Sequence, residues 1–346
     1  MGPGAVAVVT GLAALAIALP IGLFAAPLGR RLGLLDFPDT DGGRKRHARI
    51  TPLVGGIALA AAALASCVLT ALLLPAGPWV VQHLVWLGSV TAAMYLVGFF
   101  DDRFHLSPLL RLGLAILTLL LALVYAPDFS LGFLRFSGQA AMLPLGLWGD
   151  GFALLCLVGL LNAVNMADGK DGVILCLGLV WTVVLAFHLP STLAPVLSGT
   201  GVALAVMLAF NMRGKLFMGD GGSYALSALF GLLAIYAYNN DFASMRADDV
   251  AVMFAIPVFD TVRLMTVRAA AGRSPFMGDR DHLHHHLHRR FGWPRGLFVY
   301  VALVAVPNVA ALLMPGTGLV WLGVSLICYA LVMWTTRWRS LPSPAA

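Results

Sequence analysis

Aspartate is the only acidic residue type in this chain, 16 copies without a single glutamate. The aspartates gather in short polar gaps between very apolar stretches: DDRFHLSP (101–108), NAVNMADGKDGV (162–173), FMGDGGS (217–223) and SPFMGDRDHLHHHLH (274–288). Carboxylates are costly at a membrane edge unless something holds them there. A divalent metal bound together with phosphate substrates is such a holder. The chemistry implied is a metal-dependent reaction of phosphates at a membrane surface.

Each gap has its own geometry. Asp101 and Asp102 are neighbours, so on a helix their side chains point roughly 100° apart, one toward a cleft and one toward supporting bonds. Read alone, DDR is also what an ordinary charged helix end looks like. Asn162, Asn165, Asp168 and Asp171 recur every third residue, a spacing that draws a polar stripe along one helix face, with Gly169 and Gly172 loosening the backbone near a ligand. In FMGDGGS a Gly-rich turn leads into a span with Ser223 at the N-cap. Free amides there suit a phosphate, and Asp220 beside them would bring the metal. Phe217 either stacks on a base or anchors the turn in lipid. His282, His284, His285, His286 and His288 lack the Cys or carboxylate partners of a structural zinc site and can donate to pyrophosphate oxygens; for His286 and His288 a solvated basic run is the competing reading. Arg44, Lys45, Arg46 and His47 precede the second apolar span, where they serve as a charge anchor or face a phosphate.

The elements that must position these residues are membrane helices. The chain has 346 residues, 60% hydrophobic and 11% charged, with mean hydropathy +0.89, far from a soluble balance. Eleven stretches are long enough to cross ~30 Å of hydrocarbon as helices: 4–26, 51–74, 81–100, 108–126, 148–165, 172–190, 193–210, 222–239, 250–267, 296–314 and 317–336. The fold class expected is all-α, one polytopic integral membrane domain over 1–346. The first span lacks the flanks of a cleaved signal and is read as a retained helix.

Of the 22 Lys and Arg residues, 20 fall in or beside the loops after odd-numbered spans and in the tail; Arg135 and Arg246 are the exceptions. That bias places the N-terminus outside and the C-terminus in the cytoplasm. The cytoplasmic loops, near 27–50, 101–108, 165–172, 211–223 and 268–295, then carry all the chemistry. The net charge of +6 is mostly this topology signal and gives no reason to invoke nucleic acid. Cys67, Cys156, Cys176 and Cys328 lie within apolar spans as small hydrophobes.

In order, RKRHARITPLVGG, GFFDDRFHLSP, NAVNMADGKDG, FNMRGKLFMGDGGS and PVFDTVRLMTVRAAAGRSPFMGDRDHLHH resemble the polyprenyl-phosphate N-acetylhexosamine-1-phosphate transferases, the WecA and MraY group. The resemblance runs from about residue 28 to 290. It implies transfer of a sugar-1-phosphate from a UDP-sugar to undecaprenyl phosphate with release of UMP, a need for Mg²⁺ or Mn²⁺, and a bacterial inner membrane with the site on its cytoplasmic face. The run SPFMGDRDHLHH is closer to the UDP-N-acetylglucosamine branch than to the phospho-MurNAc-pentapeptide branch, where a Glu usually follows the triple His. Residue by residue, the resemblance implies that Asn165 and Asp220 hold the metal, that Asp101 and Asp102 serve the acceptor phosphate, and that Asp168 and Asp171 order the nucleotide. It further implies that Phe217 stacks on uracil in a pocket lined by Asn211, that Lys45 and Arg111 face phosphate, and that His282, His284 and His285 bind pyrophosphate and sugar. The chain departs from the family in DGKDGV, where Lys170 and Val173 replace an apolar residue and Leu. The implied partners are the UDP-sugar, polyprenyl phosphate and membrane lipid; the oligomeric state, a homodimer among the alternatives, stays open.

A transporter or flippase of lipid-linked or nucleotide sugars is the rival from another class. It would place its polar groups near mid-bilayer on broken helices related by a repeat, and neither feature is visible here.

Overall fold

The computed structural model describes residues 1–37, 50–75, 77–274 and 281–337. Among them are thirteen α-helices: α1 (Pro3–Leu23), α2 (Ala25–Leu32), α3 (Gly55–Leu73), α4 (Pro78–Phe104), α5 (Pro108–Tyr125), α6 (Gly149–Ala167), α7 (Val173–Ala186), α8 (Ala194–Asn211), α9 (Gly219–Asp241), α10 (Ala247–Ala270), α11 (Leu283–Phe291), α12 (Arg295–Leu313) and α13 (Gly318–Arg337). Two antiparallel two-stranded ribbons, β1 (Leu35–Asp36) with β2 (Thr51–Pro52) and β3 (Phe133–Leu134) with β4 (Leu143–Pro144), trim the two ends of the bundle. The chain is thus an all-α, multi-pass membrane protein.

Every apolar stretch read from the sequence corresponds to a helix, but ten of them, not eleven, are long and apolar enough to cross a membrane. The stretch 172–190 forms only α7, 14 residues, about 21 Å at 1.5 Å per residue. Gly172 opens it in the left-handed conformation, φ 84°. At the other end Leu189 precedes Pro190, which disfavours further helix.

α9 is the axis of the fold. It is buried all round, between α4, α6, α3 and α7. Its own small residues, Gly221, Gly222, Ser223, Ala225, Ser227, Ala228 and Gly231, permit this, because helices pack in lipid through close backbone approach. A Cβ built on Gly98 of α4 would lie 2.3 Å from the Asp220 carbonyl oxygen, and one on Gly56 of α3 would lie 2.4 Å from the Gly222 nitrogen. Glycine at both positions lets the first turn of α9 reach the ends of α3 and α4. The polar gaps converge there.

Candidate active site

The end of α4 makes the first wall. His105 closes the helix with φ 53°, Ser107 caps α5 by accepting from the Leu110 amide, and the corner brings Arg111 back over Asp101. Arg111 Nη1 is 2.6 Å from Asp101 Oδ2 and 3.9 Å from Asp220 Oδ2. Asp102 turns the other way, its two oxygens accepting from the Asp220 and Gly221 amides, each at 3.1 Å. The neighbours therefore diverge as helix geometry requires: Asp101 pairs with a cation, and Asp102 caps α9.

This changes the reading of FMGDGGS. Amides expected to be free for a phosphate at the start of α9 are held by Asp102, and the capping position is Met218, not Ser223. Ser223 lies within the first turn. There its hydroxyl donates to the Asp220 carbonyl at 3.2 Å and accepts from Asn165 Nδ2 at 3.0 Å. The physical cause is Gly219, whose φ of 70° lets the helix begin sooner than the serine signal suggests. Phe217 is half-buried; its amide donates to the Pro52 carbonyl at 2.8 Å and its own carbonyl accepts from Gly55 at 3.0 Å. This stitches the turn beneath β2.

The second wall is the end of α6. Asn165 donates to Asp220 Oδ1 at 2.7 Å. The stripe expected to run on to Asp171 does not do so, because α6 stops at Ala167 and Asp168 caps it. Asn162 instead folds back on its own helix, donating to the Val158 carbonyl. The turn after α6 is held from below by Asn211, whose Oδ1 accepts from the Gly172 amide at 2.6 Å and whose Nδ2 donates to Leu216 at 2.9 Å. Asn211 is thus a buried strut between two of the polar gaps. Burial, and then the charges of Asp220, Asp102 and Asp171, push the Asp168 carboxyl well above the usual carboxylate range.

Asp102, Asp168 and Asp220 crowd together, with Asp101 and its Arg111 partner beside them. Among the described residues no group of three or more His, Cys or Asp side chains is arranged to hold a metal ion. The donor set nevertheless fits a hard, hydrated cation. Mg²⁺ keeps several waters and is usually bound through one or two carboxylates plus substrate phosphates, not by a protein cage. Asp220 with Asn165 supplies that kind of partial, oxygen-rich seat, and the neighbouring carboxylates of Asp102 and Asp168 are of the hard oxygen type such a cation prefers.

The third wall is α11. His284 is buried against the 168–172 turn; a Cβ on Gly169 would lie 2.3 Å from its Nε2. Burial, then its neighbours His285 and His282, pushes the His284 imidazole well below its ordinary value, which keeps it neutral at pH 7. His282 stacks parallel to it at 5.4 Å and His285 lies 4.3 Å away. His286 does not belong to a solvated run. It is buried and bonded to Asp281 Oδ1 at 2.7 Å and to Thr336 at 3.3 Å, while His288 is exposed. A hydrogen bond from His286, joined by the charge of Arg263, holds the Asp281 carboxyl well below its usual range. Lys170, which departs from the family pattern, is part of the carboxylate turn, and after burial its charge lowers the His288 imidazole of α11. Trp293 closes the corner, donating to the Asp171 carbonyl at 3.0 Å.

Three residues not assigned a role from sequence hold α11 in place: Asp260, Arg263 and Tyr329. An aspartate inside a predicted span, with Arg three residues on, was a readable signal; nothing marked Tyr329. Arg44, Lys45, Arg46, His47, Asp279 and Arg280 lie outside the described residues.

Residues 84–238 match the family model described as glycosyl transferase family 4. The undecaprenyl-phosphate alpha-N-acetylglucosaminyl 1-phosphate transferase of Escherichia coli (strain K12) is 28% identical over 295 residues, covering 82% of this chain and 76% of the relative. The protein of the same description from Salmonella typhi is 29% identical over 284 residues, 80% and 74% of the two chains. The decaprenyl-phosphate N-acetylglucosaminephosphotransferase of Mycolicibacterium smegmatis is 27% identical over 338 residues, 87% and 81%.

Proposed function

We propose that this chain is a polyprenyl-phosphate N-acetylhexosamine-1-phosphate transferase that moves N-acetylglucosamine-1-phosphate from UDP-N-acetylglucosamine to undecaprenyl phosphate, releasing UMP. The match of residues 84–238 to glycosyl transferase family 4 and the likeness to the three relatives above support this reading. The observation that carries the reading is the convergence of the carboxylates of Asp101, Asp102, Asp168 and Asp220 with Arg111 and a histidine helix at one end of a membrane bundle. A transporter would hold such groups at mid-bilayer. Here they sit where helices end, which suits an acceptor whose phosphate is in water and whose prenyl chain is in lipid.

Two polyanions must meet, so the task is charge neutralisation and alignment. In this proposal Asn165 and Asp220 hold Mg²⁺, or Mn²⁺, which when bound offsets pyrophosphate charge and stabilises the departing UMP. Asp102 does not touch substrate; it fixes the N-terminus of α9 and with it the direction of Asp220. Asp101 and Arg111 face the acceptor phosphate together, and Lys45 is assigned to the same phosphate in this reading. His282, His284 and His285 face the pyrophosphate and sugar, and Phe217 the uracil. The acceptor oxygen attacks the β-phosphorus directly. A phosphate monoester has a second pKa of about 6, so the acceptor is already mostly dianionic at neutral pH and needs no strong base. The odd-loop charge bias supports a cytoplasmic site in a bacterial inner membrane.

Membranes containing the protein should release UMP from UDP-N-acetylglucosamine only when polyprenyl phosphate and Mg²⁺ are both present. Passage of intact UDP-sugar without UMP would overturn the reading. A panel of UDP-N-acetylhexosamines in the same assay identifies the sugar.

A further inference from the structure

We propose that Asp260, Arg263 and Tyr329 form a buried clamp that sets the proton position and orientation of His282, making them positioning residues for the transfer reaction. The proposal rests on the transferase reading above for its catalytic consequence, but not for its geometry.

Asp260 sits within α10 and is 5% exposed. A carboxylate buried at membrane depth is costly unless its oxygens are fully bonded, and this one is. It accepts from His282 Nδ1 at 3.0 Å, from the Leu283 amide at 3.1 and 3.2 Å, from the Tyr329 hydroxyl at 2.9 Å and from Arg263 Nη2 at 3.1 Å. The Leu283 bond caps α11, so the same carboxylate holds the helix and its first histidine.

The proton directions follow from donor chemistry. Arginine only donates; Arg263 Nε is 2.7 Å from the Tyr329 oxygen, so the one hydroxyl proton is free to go to Asp260. An ionised carboxylate only accepts, so His282 must carry its proton on Nδ1. In the neutral ring that leaves Nε2 as the lone-pair nitrogen, and in the imidazolium it makes Nε2 a second donor. Arg263 also donates to Asp281 Oδ2 at 2.7 Å, tying the chain just before α11 to the same clamp.

The clamp reaches the site through packed rings. His282 lies parallel to His284, 4° between planes, and His284 presses on Gly169 of the carboxylate turn. A turn of the His282 ring would therefore disturb the contact between α11 and the turn carrying Asp168. Tyr329 comes from α13, far along the chain from residues 84–238 that match the family model, so the C-terminal helix contributes to the positioning of the site.

Two variants and one spectroscopic measurement test this. Protein labelled with ¹⁵N-histidine, without substrate, should show His282 protonated at Nδ1, its signal identified by loss in His282→Gln. In Asp260→Asn that preference should weaken. Tyr329→Phe keeps the ring packing and removes one donor; it should lower kcat/KM for the UDP-sugar by about 10- to 100-fold, the range typical for residues that orient functional histidines. The KM for polyprenyl phosphate should hold. A wild-type His282 protonated at Nε2 and not at Nδ1 would overturn the proposal, as would a folded Tyr329→Phe with unchanged kcat/KM. If Asp260→Asn does not fold, the wild-type tautomer and Tyr329→Phe still decide. If the wild type turns over no UDP-sugar, the transferase reading fails, and with it the positioning role, while the tautomer still reports on the clamp's geometry.

Discussion

Two adjacent aspartates with opposite duties show how much a side chain's direction decides. Asp102 holds two backbone amides of α9, so Asp102→Ala should destabilise the fold as well as stop turnover. A buried donor left without its partner costs about 1–3 kcal/mol, and a loss of that order is expected in denaturant unfolding. Asp101 instead pairs with Arg111 beside the proposed acceptor. Asp101→Asn should slow UMP release yet retain some activity, with the deficit shrinking as pH rises and the acceptor becomes fully dianionic. Sugar-phosphate trapped on the protein without acceptor would replace direct attack with a covalent route. Asp220→Ala should abolish turnover at ordinary Mg²⁺, because a hard anionic ligand is lost. Asp168 offers a check without turnover. Its raised pKa means the protonated carboxyl persists above the usual carboxylate range in divalent-free buffer and ionises as pH rises. Adding Mg²⁺ should ionise it at a fixed lower pH, since cation binding favours deprotonated groups; infrared difference spectra of wild type against Asp168→Asn report the band.

At the scale of elements, the site depends on how closely α9 is approached by α3 and α4. Gly98→Ala would put a methyl 2.3 Å from the Asp220 carbonyl; backbone must give way, at a cost of about 1–3 kcal/mol for overpacking, and Asp220 moves with it. UMP release should fall sharply, while Gly159→Ala on α6, with nothing within 4 Å of the added methyl, should leave it unchanged. α11 invites a swap experiment of a particular kind. Because Asp281, His282 and His286 are tied into α10 and α13, only the stretch 271–280 should be exchanged with that of a relative using another UDP-sugar. Sugar preference should move and uridine affinity should not; unchanged preference would place the sugar-reading residues elsewhere.

For the whole molecule, orientation follows from the ends at which the charges lie. Arg135 and Arg246, the two exceptions to the bias, meet at the end opposite the carboxylates, where the Ala247 amide donates to the Arg135 carbonyl. Single cysteines placed in a cysteine-free background at exposed Arg273 and Met142 should be labelled by an impermeant thiol reagent from opposite sides, 273 from the cytoplasm. Labelling of both from one side would break the topology. The short α7 is where the count is decided, and a cysteine at exposed Phe187 reports on which side its end emerges.

Composition and charge bias alone determined that this is a multi-pass helical membrane protein, because hydrocarbon leaves a chain few ways to satisfy its backbone. Spacing and residue type singled out Asp101, Asp102, Asn165, Asp168 and Asp220, since carboxylates and amides at a membrane edge have few other uses. What the sequence could not contain was direction. Asp102 rather than Ser223 caps α9 because Gly98 and Gly56 allow the helices to touch. The stripe from Asn162 breaks at Ala167 because Asn211, from another helix, takes the turn's amide. His286 is buried because Asp281 and Thr336 meet it, and Asp260 matters because Tyr329 and Arg263 close around it. Apart from Asp260 with Arg263 and Asp281 with His286, which are near in sequence, these contacts join residues tens of positions apart and are set by packing of the whole bundle, so a local pattern carries no trace of them.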